Sequence, residues 1–243
     1  MKAAILDQLL RDRRHKRAVV LATTLPTGEG RLLYPRELPS PIGPSDAPKP
    51  APADAPLDEL LEPARIAADR DQCITIPQGD GSSIFLQPFN PPLRLILVGA
   101  VHIAQPLAQM AALADFEVIV VDPRGAFATE ARFPGVQRLT AWPDRALEEL
   151  HLDRRSAVVT LTHDPKLDDP ALGVALRSDV FYVGCLGSGK THAARLERMR
   201  QRGFGDADLV RIFGPVGLRI GARSPSEIAA SILAQVIEQL RKG

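Results

Sequence analysis

Cysteine is scarce in this chain: 243 residues carry only Cys73 and Cys185. Two thiols cannot make a disulfide scaffold or a cysteine-rich metal site. The candidate histidines and carboxylates do not stand at helical or hairpin ligand spacing, so no metal is expected. An excess of one charge is also missing. Thirty basic and 29 acidic side chains leave a formal net charge of +1, which gives no global field for nucleic acid or an anionic membrane. No apolar run approaches the roughly 18 residues that a membrane span needs. The opening Met1–Leu10 contains Asp7 and lacks both a long apolar core and a small-residue cleavage site. It reads as an amphipathic helix rather than a signal peptide, and the expected location is cytoplasmic.

With 45% hydrophobic and 24% charged residues, the composition is that of an ordinary soluble globular protein. The length suits one large domain, or a small one followed by a medium one. Residues 1–90 read as the smaller α/β module. After the opening helix, Arg17–Leu25 and Arg31–Tyr34 suggest a hairpin around Pro26–Gly30. Residues 35–56 hold eight of the 22 prolines, the signature of an extended, exposed linker. A helical run from Leu57 to Arg70 contains Pro63, a candidate interruption. Gln72–Ile76 and Ser83–Phe89 then flank Gly79-Asp80-Gly81 as a second hairpin.

From Pro91 to Gly243 the pattern changes to strict alternation. Strands are expected at Leu93–Val98, Glu117–Val121, Gln137–Thr140, Ser156–Leu161 and Val180–Gly184. Helices are expected at Ile103–Ala114, Pro143–Leu150, Asp169–Ser178 and His192–Arg202. Near-continuous apolar strands separated by helices predict a doubly wound, Rossmann-like parallel sheet covered on both faces. A last helix begins at Ser224-Pro225-Ser226-Glu227, a capping box with proline in the first helical position.

Gly184–Thr191 fits G-x-x-x-x-G-K-[ST], in which glycine amides cradle phosphate, the lysine reaches outer phosphates and the threonine holds magnesium. Only 52 residues follow Thr191, and none forms an apolar strand ending in Asp to supply a second magnesium ligand. A P-loop NTPase is therefore kept as an alternative reading. The basic cluster Lys190–Arg202 has helical spacing and includes Glu197, so it reads as a solvated face, as does Arg11–Arg17.

On a doubly wound sheet, ligands bind beyond the carboxyl ends of the strands, at the switch in strand order. Those ends are Gly99-Ala100-Val101-His102, Asp122-Pro123-Arg124, Thr162-His163-Asp164 and Leu186-Gly187-Ser188. Gly99, Ala104 and Asp122 approximate a dinucleotide fingerprint, with Asp122 placed to hold a ribose hydroxyl or to cap a turn. Val101 takes the place of its second glycine and crowds a pyrophosphate. An NAD(P)-dependent oxidoreductase is the other alternative. His102, His163, Asp122 and Asp164 converging on one rim suggest a polar ligand site. Valine at Gly99 or Gly187 is expected to block the ligand sterically, with little loss of fold if these positions tolerate φ < 0. Both cysteines read as buried strand residues; only Cys185, near Lys190, could meet the positive neighbourhood that a sulfur-carrying thiol requires.

Five stretches carry a resemblance. They are Leu-Ile-Leu-Val-Gly-Ala-Val-His (95–102), Val-Ile-Val-Val-Asp-Pro-Arg (118–124), Thr-Leu-Thr-His-Asp (160–164), Tyr-Val-Gly-Cys-Leu-Gly-Ser-x-Lys-Thr-His (182–192) and Gly-Pro-Val-Gly-Leu-x-Ile-Gly-Ala-Arg-Ser-Pro-x-Glu-Ile-Ala (214–229). In this order they resemble the Rossmann domain of the XdhC/CoxI family, accessory proteins of molybdenum hydroxylases. The resemblance implies a molybdenum-cofactor chaperone rather than an enzyme. Such a protein protects the cofactor, supports its sulfuration by a cysteine desulfurase and its insertion into the apo-subunit of a xanthine dehydrogenase-type hydroxylase. A homodimer is compatible with the sequence. The cofactor-binding residues implied are Gly99, Ala100, His102, Asp122, Arg124, Thr162, His163, Asp164, Gly187, Ser188, Lys190 and Thr191. His102, Thr162, His163 and Asp164 would bond the pterin edge, and the glycine loops would take phosphate. Gly189 stands where similar proteins carry a basic residue, which creates the apparent P-loop. The Gly-Ser-x-Pro-Arg stretch of longer relatives is absent from the N-terminal module.

Overall fold

The computed structural model describes residues 2–35 and 57–242. The proline-rich stretch read as a linker therefore lies, apart from Pro35, outside the described residues. The chain divides into two compact units, Met1–Pro91 and Pro92–Gly243. Among the described residues no helix is long and apolar enough to cross a membrane.

The first unit comprises α1 (Ala3–Arg14), β1 (Val19–Leu25), β2 (Glu29–Leu33), α2 (Leu57–Arg70), β3 (Ile74–Pro77) and β4 (Ser83–Phe89). Its four described strands form one antiparallel sheet in the order β2-β1-β4-β3, so both hairpins are present. In the second, the Asp80 carboxylate accepts the amide and hydroxyl of Ser82 at 2.9 and 2.7 Å, the local bonding that favours Asp in turns. α2 covers one sheet face, with Leu60, Ala64 and Ala67 packed on Val20, Leu33 and Leu86. Spacing of three and four residues puts these groups on one helical stripe. Pro63 does not break α2, because buried residues on both sides hold the helix against the sheet. Buried Asp12 pins α1 by accepting from Tyr34 Oη at 2.8 Å and Gln8 Nε2 at 3.1 Å.

The second unit contains β5 (Leu93–Val98), α3 (Ala104–Leu113), β6 (Phe116–Val121), β7 (Gln137–Leu139), α4 (Pro143–Glu149), β8 (Ser156–Thr160), α5 (Pro165–Leu176), β9 (Tyr182–Cys185), α6 (Gly189–Gln201), α7 (Asp206–Leu209), β10 (Ile212–Phe213) and α8 (Pro225–Lys242). All six strands are parallel, in the order β10-β9-β8-β5-β6-β7. With β5 as first strand this is 3-2-1-4-5-6, the doubly wound order of dinucleotide-binding folds. Leu95 and Leu97 face α3 and α8 through Leu107, Ile232 and Val236, while Ile96 and Val98 face α4, α5 and α6 through Leu147, Leu172 and Met199. Burial on both faces explains the unbroken apolar runs.

Two elements went unread in the sequence. β10 has only two residues, and α7 only four. α5 starts four residues before the expected Asp169, because Asp164 caps it through Lys166 N at 2.9 Å and Pro165 takes the first helical position. The order of strands turns between β5 and β8, which places the Gly99 and Thr162 turns side by side.

Candidate functional site

Four turns form the rim at the carboxyl ends of β5, β6, β8 and β9, and the residues read as a site from the sequence do gather there. Gly99 closes the first, with φ +109 and its N–H on Val121 O at 2.8 Å. A Cβ at Gly99 would lie 2.5 Å from Thr162 Cγ2, so glycine is required by the neighbouring turn. The expectation that valine here merely fills ligand space is corrected: the backbone is left-handed and the collision is with the protein itself. Gly187 has φ +148 and would place a Cβ 3.2 Å from Thr191, so the same correction holds there. Ala100 is buried, His102 is exposed, and Val101 is half-buried against the apolar layer beneath α3.

Asp122 follows β6 and is 0% exposed. Its Oδ2 accepts Ala100 N–H and Arg124 Nη2, each at 2.8 Å. Its Oδ1 accepts Arg124 N–H and Nε, each at 2.9 Å. These bonds use the acceptor positions of a carboxylate, and none is left for a ribose hydroxyl. Burial alone would raise this carboxyl, but the bonds from Arg124 and Ala100 outweigh it and hold it below its ordinary value. Asp122 therefore fastens the β5 turn to the β6 turn, a correction to its reading as a ligand group. Arg124 is the exposed half of that pair, with its guanidinium over the Phe127 ring at 4.8 Å.

The β8 turn is built around Thr162. Its hydroxyl donates to Asp168 Oδ1 at 2.6 Å and accepts Asp164 N–H at 3.1 Å. His163 is exposed with φ +62, a conformation uncommon outside glycine, and it stands out from the rim. The Asp164 side chain sits at the start of α5. Asp168, which the sequence reading missed, is 2% exposed, and burial raises its carboxyl above the ordinary value despite the Thr162 bond. Its position one turn into a helix resembles a solvated charge, so sequence carried no signal for it.

The β9 turn is where the apparent P-loop lies. Gly184 is inside β9, paired with Val159 and Phe213 and packed against Tyr182 and Val216. Only Leu186-Gly187-Ser188 remains as loop before α6, too short to wrap a phosphate as a P-loop does. Ser188 caps α6, accepting Thr191 N–H at 3.2 Å, and its hydroxyl lies 3.0 Å from Thr191 Oγ1. Lys190 is exposed beside it. The basic run that follows is not one solvated face. Arg195 is 1% exposed, and Arg198 grips buried Asp169 with two bonds of 2.6 and 2.9 Å. Of the two cysteines read as buried strand residues, Cys185 is one, at the end of β9, and Cys73 is not. Cys73 is exposed, whereas Cys185 is fully buried and burial pushes its thiol up to about 11, the opposite of an activated sulfur carrier.

Three helices begin on this rim, and they differ. The N-terminus of α5 is filled by the Asp164 carboxylate, α6 is capped by a neutral hydroxyl, and α3 has no side-chain cap. First-turn amides without intrahelical acceptors favour an anion, so the β9–α6 and β5–α3 turns are the ends open to one. A separate groove of about 380 Å³ on the α3 flank is lined by Ala108, Ala112, Phe133 and Val136 together with Gln105, Gln109 and Arg132, and holds none of the residues of the rim.

Residues 95–236 match the model of the XdhC Rossmann domain. The chain is 36% identical over 162 residues to a protein of Bacillus subtilis (strain 168) named as a probable xanthine dehydrogenase subunit, covering 66% of this chain and 47% of that protein. It is 30% identical over 148 residues to the "Molybdenum cofactor insertion chaperone PaoD" of Escherichia coli (strain K12), covering 61% and 40% respectively. The chain thus spans half or less of the length of these curated relatives. A crystal structure described as a xanthine dehydrogenase from Bacillus halodurans superposes with a TM-score of 0.68 at 22% identity, covering 98% of this chain and 64% of that one, a likeness of fold. By the extent of the family match, this chain belongs to the XdhC Rossmann-domain family.

Proposed function

We propose that this protein carries the molybdenum cofactor and assists its insertion into a molybdenum hydroxylase of the xanthine dehydrogenase type. The observation that carries the reading is the pairing of two anion-receptive turns with an exposed polar edge on one rim of a Rossmann sheet. The names of two relatives support it, since one denotes part of a xanthine dehydrogenase and the other a cofactor insertion chaperone. The chemistry of the group fits the residues present. Its phosphate suits the Gly187–Lys190 start of α6, where the helix dipole favours an anion by roughly 0.3–1 kcal/mol. Its flat, polar pterin suits His102 and His163, which are exposed, with Thr162 and Asp164 beside them. Asp122 and Ala100 act beneath the surface, holding the rim together.

A carrier must release its cargo, and this rim is open rather than enclosed. Sulfuration by a cysteine desulfurase, protection of the cofactor meanwhile, action without catalysis by this chain, assembly as a homodimer and residence in the cytoplasm all belong to the same proposal. Buried Cys185 gives no support to a thiol relay within this unit. Consumption of Asp122 and the short β9 turn both weigh against the oxidoreductase and P-loop alternatives.

The test is the pterin retained per protomer after purification from a molybdate-supplied host. His163→Ala and Lys190→Ala change exposed side chains, so both proteins should fold. Each should lower retention several-fold, since a lost polar contact is worth on the order of 1 kcal/mol. Activation of a co-expressed molybdenum hydroxylase should fall in parallel. Full loading in both variants would remove the cofactor from this rim. Magnesium-dependent nucleotide hydrolysis that disappears in Lys190→Ala would instead restore the P-loop reading.

A further inference from the structure

Arg195 lies on the inward face of α6 and is 1% exposed. Its Nη2 donates to Leu186 O at 2.8 Å, and Asp168 Oδ2 stands 3.9 Å away. Nε and Nη1 have no hydrogen-bond partner. Buried donors left in this way are uncommon in folded proteins and call for an explanation. The guanidinium sits directly under the β9 turn, since Nη2 lies 3.7 Å from where a Cβ on Gly187 would be.

Beyond the long ion pair with Asp168, the groups around it do little to neutralise it. Asp169 is engaged by Arg198. The Cys185 thiol is held neutral by burial, and His192, whose Nδ1 is also unpartnered, is pushed toward its neutral form by burial and by Arg195. Asp168 shares its carboxylate with the Thr162 hydroxyl and also feels His163. A cation thus remains under-compensated beneath a turn that opens a thirteen-residue helix.

We propose that Arg195 is a fixed buried cation that shapes the Leu186-Gly187-Ser188 turn for an anionic, phosphate-class group, and that Asp168 sets how much of its charge reaches that group. This rests on the reading of the rim as a ligand site and adds two positioning residues to it. Arg195 fastens the β9 turn through Leu186 O. Asp168 fastens the β8 turn through Thr162, which in turn packs on Gly99. The two sides of the rim therefore share one buried ion pair.

The experiment titrates inorganic pyrophosphate into the full chain and into Arg195→Met and Asp168→Asn, with thermal unfolding as the check of fold. Arg195→Met should weaken pyrophosphate several-fold. Asp168→Asn should tighten it several-fold, because the amide oxygen keeps the Thr162 bond while the opposing charge is gone. A merely structural role for Asp168 predicts the reverse sign, so this variant decides even if Arg195→Met folds poorly. Wild-type affinity in both variants would overturn the role of Arg195 and leave the ligand rim standing. Weakening in Asp168→Asn would likewise overturn it. Failure of the wild-type chain to bind pyrophosphate would remove the anion site along with the inference built on it.

Discussion

Gly99 and Asp122 shape the rim through contacts within the protein. At Gly99 the left-handed backbone and the 2.5 Å approach of a Cβ to Thr162 act together. Gly99→Ala should cost roughly 1–3 kcal/mol by backbone strain, read by urea unfolding. Adding Thr162→Ala should recover part of that loss, since the colliding methyl is gone; strict additivity of the two costs would contradict the contact. Asp122→Asn puts a donor where Arg124 and Ala100 also donate, and should cost roughly 1.5–3 kcal/mol, the value of hydrogen bonds to a charged group. Its folded carboxyl lies below the ordinary 3.8. Its contribution is therefore present above the unfolded pKa and lost as pH falls through the folded one. The wild-type advantage over Asp122→Asn should shrink below about pH 4; a gap constant down to pH 2 would contradict the ionised pair. Little of this was legible beforehand. The position of Asp122 at a strand end is visible in sequence, but whether its carboxylate faces a ligand or a neighbouring amide depends on the paired turn. Arg195 and Asp168 have the spacing of surface charges and reveal themselves only through burial.

The helices and strands were far more legible, because their signals are local. The capping box expected at Ser224 is formed: Ser224 Oγ accepts Glu227 N–H at 3.2 Å, and Glu227 Oε2 accepts Ser224 N–H at 3.0 Å. Ser224→Ala should lower stability by about 1 kcal/mol, measured by the unfolding midpoint, whereas no shift would mean that α8 is held by packing alone. The bounds of α2 were legible, but its continuity through Pro63 was not, because that depends on Leu60, Ala64 and Ala67 packing on the sheet. The parallel strands were legible from apolar runs bounded by glycine and charge. β10 was not, since two residues carry no periodicity and its pairing depends on β9 being already in place. The apparent P-loop, kept only as an alternative, matches in pattern for a related reason. A pattern of residue types does not say where the strand ends, and here β9 extends past the first glycine of the pattern.

At the scale of the whole chain, Pro92–Gly243 holds a complete sheet with an apolar layer on each face. A fragment comprising residues 92–243 should therefore unfold cooperatively by itself, as seen by circular dichroism with heating; a broad, featureless transition would show that its core depends on the preceding residues. The resemblance visible in five stretches extends to the family, and the family match covers residues 95–236. The cargo is the central claim, and one measurement bears on it most directly: mass spectrometry of the small molecule that co-purifies with the full chain from a molybdate-supplied host. The account predicts molybdopterin, as the mononucleotide or the dinucleotide form, at a substantial fraction of one per protomer. A bound nicotinamide dinucleotide with no pterin would contradict it and return the protein to the oxidoreductase reading of its Rossmann sheet.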